Sequence, residues 1–310
     1  MSRWIPLTTL LALTLIAIAP ARADDGNKLV DSRESLYNNI YVYREGPYLA
    51  MTFGYNKNLY TESLYNPLDD RELPVPYTRF MTVGLAYPRK VDSILEIGFG
   101  GGRTSWYLHK FLPDASVTSA ELDPAVMELA QKYFGIKAEQ NFNVVQQDGR
   151  IFLSSSPRLY DLILIDAYRG PFVPFQLLTK QFYEIVKQHL AAGGVVAQNI
   201  EPTTMLFDSA VNTIHSVFAN LDFYPAEGNI VVIAYDGKPR TEQELAAIAA
   251  ERQSALHLRY DLTQLVTSRQ SYASAAANVD PKAAILTDDF APVEALKAIK
   301  KHNQKWTSNK

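Results

Sequence analysis

The chemistry legible in this chain sits in one glycine-rich turn and a series of carboxylates that follow it. The run Glu96-Ile97-Gly98-Phe99-Gly100-Gly101-Gly102 stands where an apolar stretch gives way to a helical pattern. Glycines at such a junction let the backbone turn sharply and come close to a ligand. Gly98, Gly100 and Gly102 give the spacing GxGxG. A dinucleotide fingerprint, GxGxxG, would need its third glycine where Arg103 stands. The turn therefore suits the amino-acid end of an S-adenosyl sulfonium better than a pyrophosphate.

Glu121 ends the next apolar stretch. A carboxylate at that strand tip accepts hydrogen bonds from both hydroxyls of a ribose. Asp123 either caps the helix that follows or touches the ligand. Asp148-Gly149 comes after the next strand. In isolation the pair is a turn; in this order the aspartate is placed to accept from the exocyclic amine of adenine. Asp166 closes the apolar strand Leu162-Ile163-Leu164-Ile165. It should face the reacting centre, since ligands of open parallel sheets sit beyond the strands' carboxyl ends. There it attracts a cationic sulfonium or takes a proton from an attacking amine. The loop after it carries Tyr168, Arg169 and Phe172 and reads as a substrate wall or lid. Arg169 would pair with an acid or meet a substrate carboxylate.

These residues need a scaffold that brings strand ends together. From Val91 onward short apolar strands alternate with helices: strands at 93–97, 116–121, 143–147, 162–166 and 195–199, helices at 104–111, 124–134 and 179–190. The last helix is expected to close at Gly193-Gly194. That alternation predicts an α/β fold with a mostly parallel sheet covered on both faces. Before it, alternation around Glu45-Gly46-Pro47 predicts a small tyrosine-rich β-hairpin region with a possible strand at 60–64, then a helix over 76–86. Such a sheet must cover one face, against the main domain or in a homodimer. After it, 222–225 and 229–235 read as an antiparallel pair, and 241–266 as a helix. The organisation expected is 24–88 as the β-rich region plus helix, 89–240 as the Rossmann-like nucleoside-binding domain, and 241–310 as a helical segment returning to the active site.

Composition narrows the chemistry. The chain has 310 residues, is 47% apolar and carries a net charge of -3, which gives no reason to expect nucleic acid as a partner. It has no cysteine, which removes thiolate catalysis and disulfides, and its five histidines form no HxH or HxxxH pair, so no metal site is expected. Arg3, an apolar run over 7–19, and Ala21-Arg22-Ala23 before Asp24 read as a signal peptide over 1–23, cleaved near Ala23/Asp24. The expected destination is the periplasm.

Taken together, the order of motifs resembles the spermidine synthase family of polyamine aminopropyltransferases, and most closely its divergent branch. The matching pieces are Ser35-Leu36-Tyr37-Asn38, ILEIGFGGG at 94–102, AELDPAVMELAQKYF at 120–134, QQDGRIFL at 146–153, YDLILIDAYRGPFVP at 160–174 and LTDDFAPVEAL at 286–296. The resemblance implies a class I AdoMet-dependent methyltransferase-like (Rossmann-like) fold. It implies transfer of an aminopropyl group from decarboxylated AdoMet to a polyamine, with Asp166 acting at the amine. Glu121 and Asp148, with Gly149, would hold the nucleoside, and Tyr168 and Arg169 would meet the substrate. Three positions depart from the family's pattern. Gly101 and Arg169 stand where the family carries aspartates that hold substrate ammonium groups, and Asn38 where it usually has glutamine. Asp288, Asp289 and Glu201 are the acids expected to rebuild that pocket. Glu96 is more typical of AdoMet-dependent methyltransferases on the same fold, where it helps place the ammonium of intact AdoMet. An exported, non-catalytic nucleoside- or polyamine-binding protein is the third reading.

Overall fold

The computed structural model describes residues 27–55, 58–275 and 278–289. The signal peptide expected over 1–23 and the end of the 286–296 segment lie outside the described residues.

The described residues begin with four antiparallel strands in meander order: β1 (Lys28–Glu34), β2 (Asn39–Glu45), β3 (Tyr48–Tyr55) and β4 (Asn58–Tyr65). The inward residues of β2 and β3, Ile40, Val42, Leu49 and Met51, are buried. They share one apolar cluster with Val117, Val126 and Leu164 of the main domain. The small sheet thus covers its face against the rest of the chain. The polar strand β1 carries no alternation because both its faces are largely exposed, and the sequence reading passed over it.

A short helix α1 (Pro76–Met81) and a 3-10 turn over 82–86 lead into the main sheet. Proline at the first turn supplies helical φ where no N–H bond is needed. The main sheet contains β5 (Ser93–Ile97), β6 (Ser116–Glu121), β7 (Phe142–Gln146), β8 (Tyr160–Ile165), β9 (Leu190–Ile200), β10 (Asn220–Ala226), β11 (Asn229–Tyr235) and the two-residue β12 (Gln270–Ser271). Their order across the sheet is β12-β10-β11-β9-β8-β5-β6-β7. Strands β5 to β9 pair in parallel, and β10 to β12 close the far edge antiparallel. This is the mostly parallel α/β fold that the alternation predicts. The chain leaves β5 toward β6 and β7, then returns to its other side as β8. The switch point lies between β5 and β8, and ligands bind beyond it in sheets of this kind.

The covering helices are α2 (Arg103–Phe111), α3 (Pro124–Tyr133), α4 (Gly149–Ser155), α5 (Lys180–Gln188), α6 (Phe207–His215), α7 (Glu242–Leu256) and the single turn α8 (Leu262–Leu265). Two expectations need correction. Helix α5 ends at His189, and Gly193-Gly194 lie inside β9, where the β8–β9 register shifts. The 241–266 helix breaks at His257, whose φ of 50° is left-handed, before the chain restarts as α8.

Candidate active site

Glu96, Glu121, Asp123, Asp148 and Asp166 stand at the carboxyl end of a strand or in the loop just past it, as the topology requires. A cavity of about 350 Å³ opens beyond β5, β6 and β8, a volume in the range of small-molecule sites. Glu96, Gly98, Gly100, Glu121, Asp148, Gly149, Asp166, Tyr168 and Arg169 all line it. Gly102 does not; with φ of 69° it caps the start of α2, and its conformation sets the helix's entry angle.

The glycine turn is packed from beneath. Gly98 has φ of 90°, and a Cβ there would stand 2.6 Å from Ala167 Cα. Only glycine lets the turn lie against the chain leaving β8. Glu121 braces the same turn from β6. Its Oε2 accepts the N–H groups of Phe99 at 3.0 Å and Gly100 at 3.4 Å, and its Oε1 accepts that of Asp123 at 2.9 Å. Oε1 keeps a lone pair for a further donor such as a ribose hydroxyl. Asp148 caps α4 with Oδ1, accepting from Arg150 and Ile151 N–H at 2.9 and 3.1 Å. Its Oδ2 receives no hydrogen bond among the described residues. Asp123 caps α3 through Oδ1, and its Oδ2 accepts from Ser35 Oγ at 2.5 Å and Asn38 Nδ2 at 3.3 Å. The first strand connection is thereby tied to the site's edge.

Asp166 is held from two sides. The Tyr77 hydroxyl donates to Oδ2 at 3.1 Å and the Asn199 amide to Oδ1 at 3.0 Å. Asn199 in turn accepts from Asn229 at 2.9 Å, and its backbone carbonyl accepts the Tyr168 hydroxyl at 3.0 Å. Burial pushes the Asp166 carboxyl up to about 6, although both hydrogen bonds favour its charged form. Burial likewise pushes Glu96 up to about 8, against hydrogen bonds from Ser105 and Ser119. Glu121 is also raised by burial. Six carboxylates, Glu62, Glu96, Glu121, Asp123, Asp148 and Asp166, line one cavity. Two guanidiniums share it. Arg103 is spent on the carbonyls of Phe134 and Asp70, which leaves Arg169, exposed in the loop after β8. Several partly desolvated carboxyls in one cleft favour a ligand that brings positive charge.

Residues 77–227 match the family model of the spermine/spermidine synthase domain. Over that stretch the chain resembles the spermidine synthase family. The polyamine aminopropyltransferase of Vibrio vulnificus is 29% identical over 301 residues, covering 94% of this chain and 99% of that one. The eEF1A lysine and N-terminal methyltransferase homolog of Drosophila melanogaster is 30% identical over 186 residues, covering 53% of this chain and 28% of that protein. Among solved structures, a probable spermidine synthase from Corynebacterium glutamicum superposes with a TM-score of 0.65 at 18% identity, covering 84% of this chain and 97% of that chain. A spermidine synthase in complex with the transition state analogue AdoDATO reaches 0.65 at 20% identity, covering 80% and 84%. At such identities the superpositions establish the fold.

The acids expected to rebuild the substrate pocket lie elsewhere. Asp288 is held bidentately by Arg150 of α4, at 2.8 and 2.5 Å, and neither it nor Asp289 lines the cavity. Glu201 accepts from Thr203 at 2.5 Å and is likewise outside the lining. Sequence reasoning missed Tyr77, Asn199 and Glu62. Asn199 ends β9 at the carboxyl edge, so the rule that selected Asp166 was sufficient to find it. Tyr77 enters from α1, and nothing in its local sequence marks it.

Proposed function

We propose that this protein transfers an aminopropyl group from decarboxylated AdoMet to an amine of the polyamine class. The observation that carries the reading is Asp166: a half-buried carboxyl fixed by Tyr77 and Asn199 in an acidic cavity beside the glycine turn and Glu121. The similarity to the spermine/spermidine synthase domain and to relatives named polyamine aminopropyltransferases supports it. Glu121 would take the ribose and Asp148 Oδ2 the adenine amine. The acceptor amine arrives as an ammonium and gives one proton to ionised Asp166. Its freed lone pair attacks the propyl carbon bound to sulfur. The new C–N bond forms as the C–S bond breaks, and the electron pair leaves on sulfur as neutral methylthioadenosine. The residues contribute position and one proton acceptor.

A second reading, methyl transfer from intact AdoMet, has the position of Glu96 on the cavity wall and the identity with a methyltransferase homolog in its favour. A homodimer belongs to the proposal, supported by Leu29, Val30 and Leu59 exposed on the N-terminal sheet. So does export to the periplasm, supported by the leader-like run before Asp24; the N-terminal mass of protein recovered from periplasm tests it.

The experiment is incubation with decarboxylated AdoMet and putrescine, read by mass spectrometry. The expected products are methylthioadenosine and an amine longer by one aminopropyl unit. A methylated amine with AdoMet as donor would support the second reading. Binding of these ligands with no product from either donor would leave a non-catalytic binding protein.

A further inference from the structure

Among the described residues, Glu62 is the one carboxyl of the cavity with an oxygen that is buried and unpaired. Its Oε1 has no hydrogen-bond partner, while the side chain lines the cavity. It lies on β4, in the N-terminal sheet, before the residues that the family model matches. Its neighbour Ser63 fixes the register of that strand against the glycine turn. Ser63 Oγ accepts the Gly101 N–H at 2.8 Å. The same contact fills the space above Gly101, where a Cβ would stand 2.7 Å from Ser63 Cβ and 2.8 Å from Phe134 Cδ1. The turn therefore has no room for a side chain at that position, and the strand packed on it supplies the acid. Burial and the charges of Asp166 and Glu121 raise the Glu62 carboxyl well above the usual range. Tyr77 and Tyr168 also feel its charge. A buried oxygen without a partner costs free energy, and a bound cation removes that cost.

We propose that Glu62 is a specificity-determining residue that receives a primary ammonium group of a substrate, on the N-terminal-sheet side of the cavity from Asp166. The inference rests on the aminopropyl-transfer reading. Two substrates carry such a group: the aminopropyl arm of the donor and the far end of a diamine acceptor. Glu62 takes the part expected of Asp288, Asp289 and Glu201, as the acid that rebuilds the substrate pocket.

The test compares wild type, Glu62→Gln and Glu62→Asp. Calorimetry with methylthioadenosine, which lacks the amine, and with decarboxylated AdoMet reads the donor arm; KM for putrescine reads the acceptor arm. Glu62→Gln should keep methylthioadenosine affinity within about twofold and lose roughly tenfold to a hundredfold on one amine-bearing ligand, as expected for a charged hydrogen bond. The ligand affected identifies the source of the ammonium, and Glu62→Asp should recover part of the loss. Unchanged constants for both amines, or equal weakening of methylthioadenosine, would overturn the inference and leave the proposed function standing. A wild type that binds no adenosine thioether or sulfonium would remove the proposed function, and the inference with it.

Discussion

The Tyr77 hydroxyl donates to Asp166 Oδ2 at 3.1 Å, joining the first helix of the chain to the end of the central strand β8. This bond favours the ionised carboxylate, which burial opposes. With its carboxyl at about 6, Asp166, the proposed proton acceptor, is half ionised there and about nine-tenths ionised at pH 7. Turnover should therefore rise with pH through about 6 and level off. Tyr77→Phe removes one stabilising donor and moves that limb to higher pH, with kcat lower by about tenfold. A pH profile of kcat for both proteins checks this; an unshifted limb would detach Tyr77 from Asp166.

Glu96 gives a stability prediction. Its folded carboxyl sits at about 8, above the ordinary 4.5. Between those values the folded state holds a proton that the unfolded chain has released. Stability is therefore lost as pH rises across that window, on the order of 2–4 kcal/mol. Glu96→Gln cannot titrate and lacks this loss. Urea unfolding at pH 5 and pH 8.5 should show the variant gaining on wild type at the higher pH. A constant difference would contradict the burial argument.

The glycine turn gives a third. Gly98→Ala forces a side chain at φ 90° against Ala167, whose backbone nitrogen would lie 2.7 Å from the new Cβ. The change should cost about 2–4 kcal/mol in urea unfolding and weaken nucleoside binding more than tenfold. Wild-type stability with wild-type affinity would mean that the turn relaxes freely.

Legibility followed the locality of each signal. Strands β5 and β6 fall where the sequence places them because an apolar run ends in glycine or in a helix cap. The antiparallel pair β10–β11 shows the same, bounded by Glu227-Gly228, both at positive φ. Helix α4 was missed since its start, Asp148-Gly149, also reads as a turn; the cap bonds decide it. The cavity's Rossmann side was legible because strand-end acids follow topology. Its other wall was not. Tyr77 and Glu62 reach the site only through packing of the N-terminal sheet and α1 on the main domain, which no local pattern encodes. Asp288 misled for the matching reason: an acidic pair near a family motif has no address until Arg150 is seen beside it.

The central claim is that this carboxylate-lined cavity holds an adenosine sulfonium whose reacting arm is an amine. Calorimetric titration of the purified protein with decarboxylated AdoMet, AdoMet and spermidine in parallel tests it most directly. The account predicts saturable binding of decarboxylated AdoMet, tighter than AdoMet and needing no metal. Absence of heat from either adenosine sulfonium at millimolar concentration would contradict it.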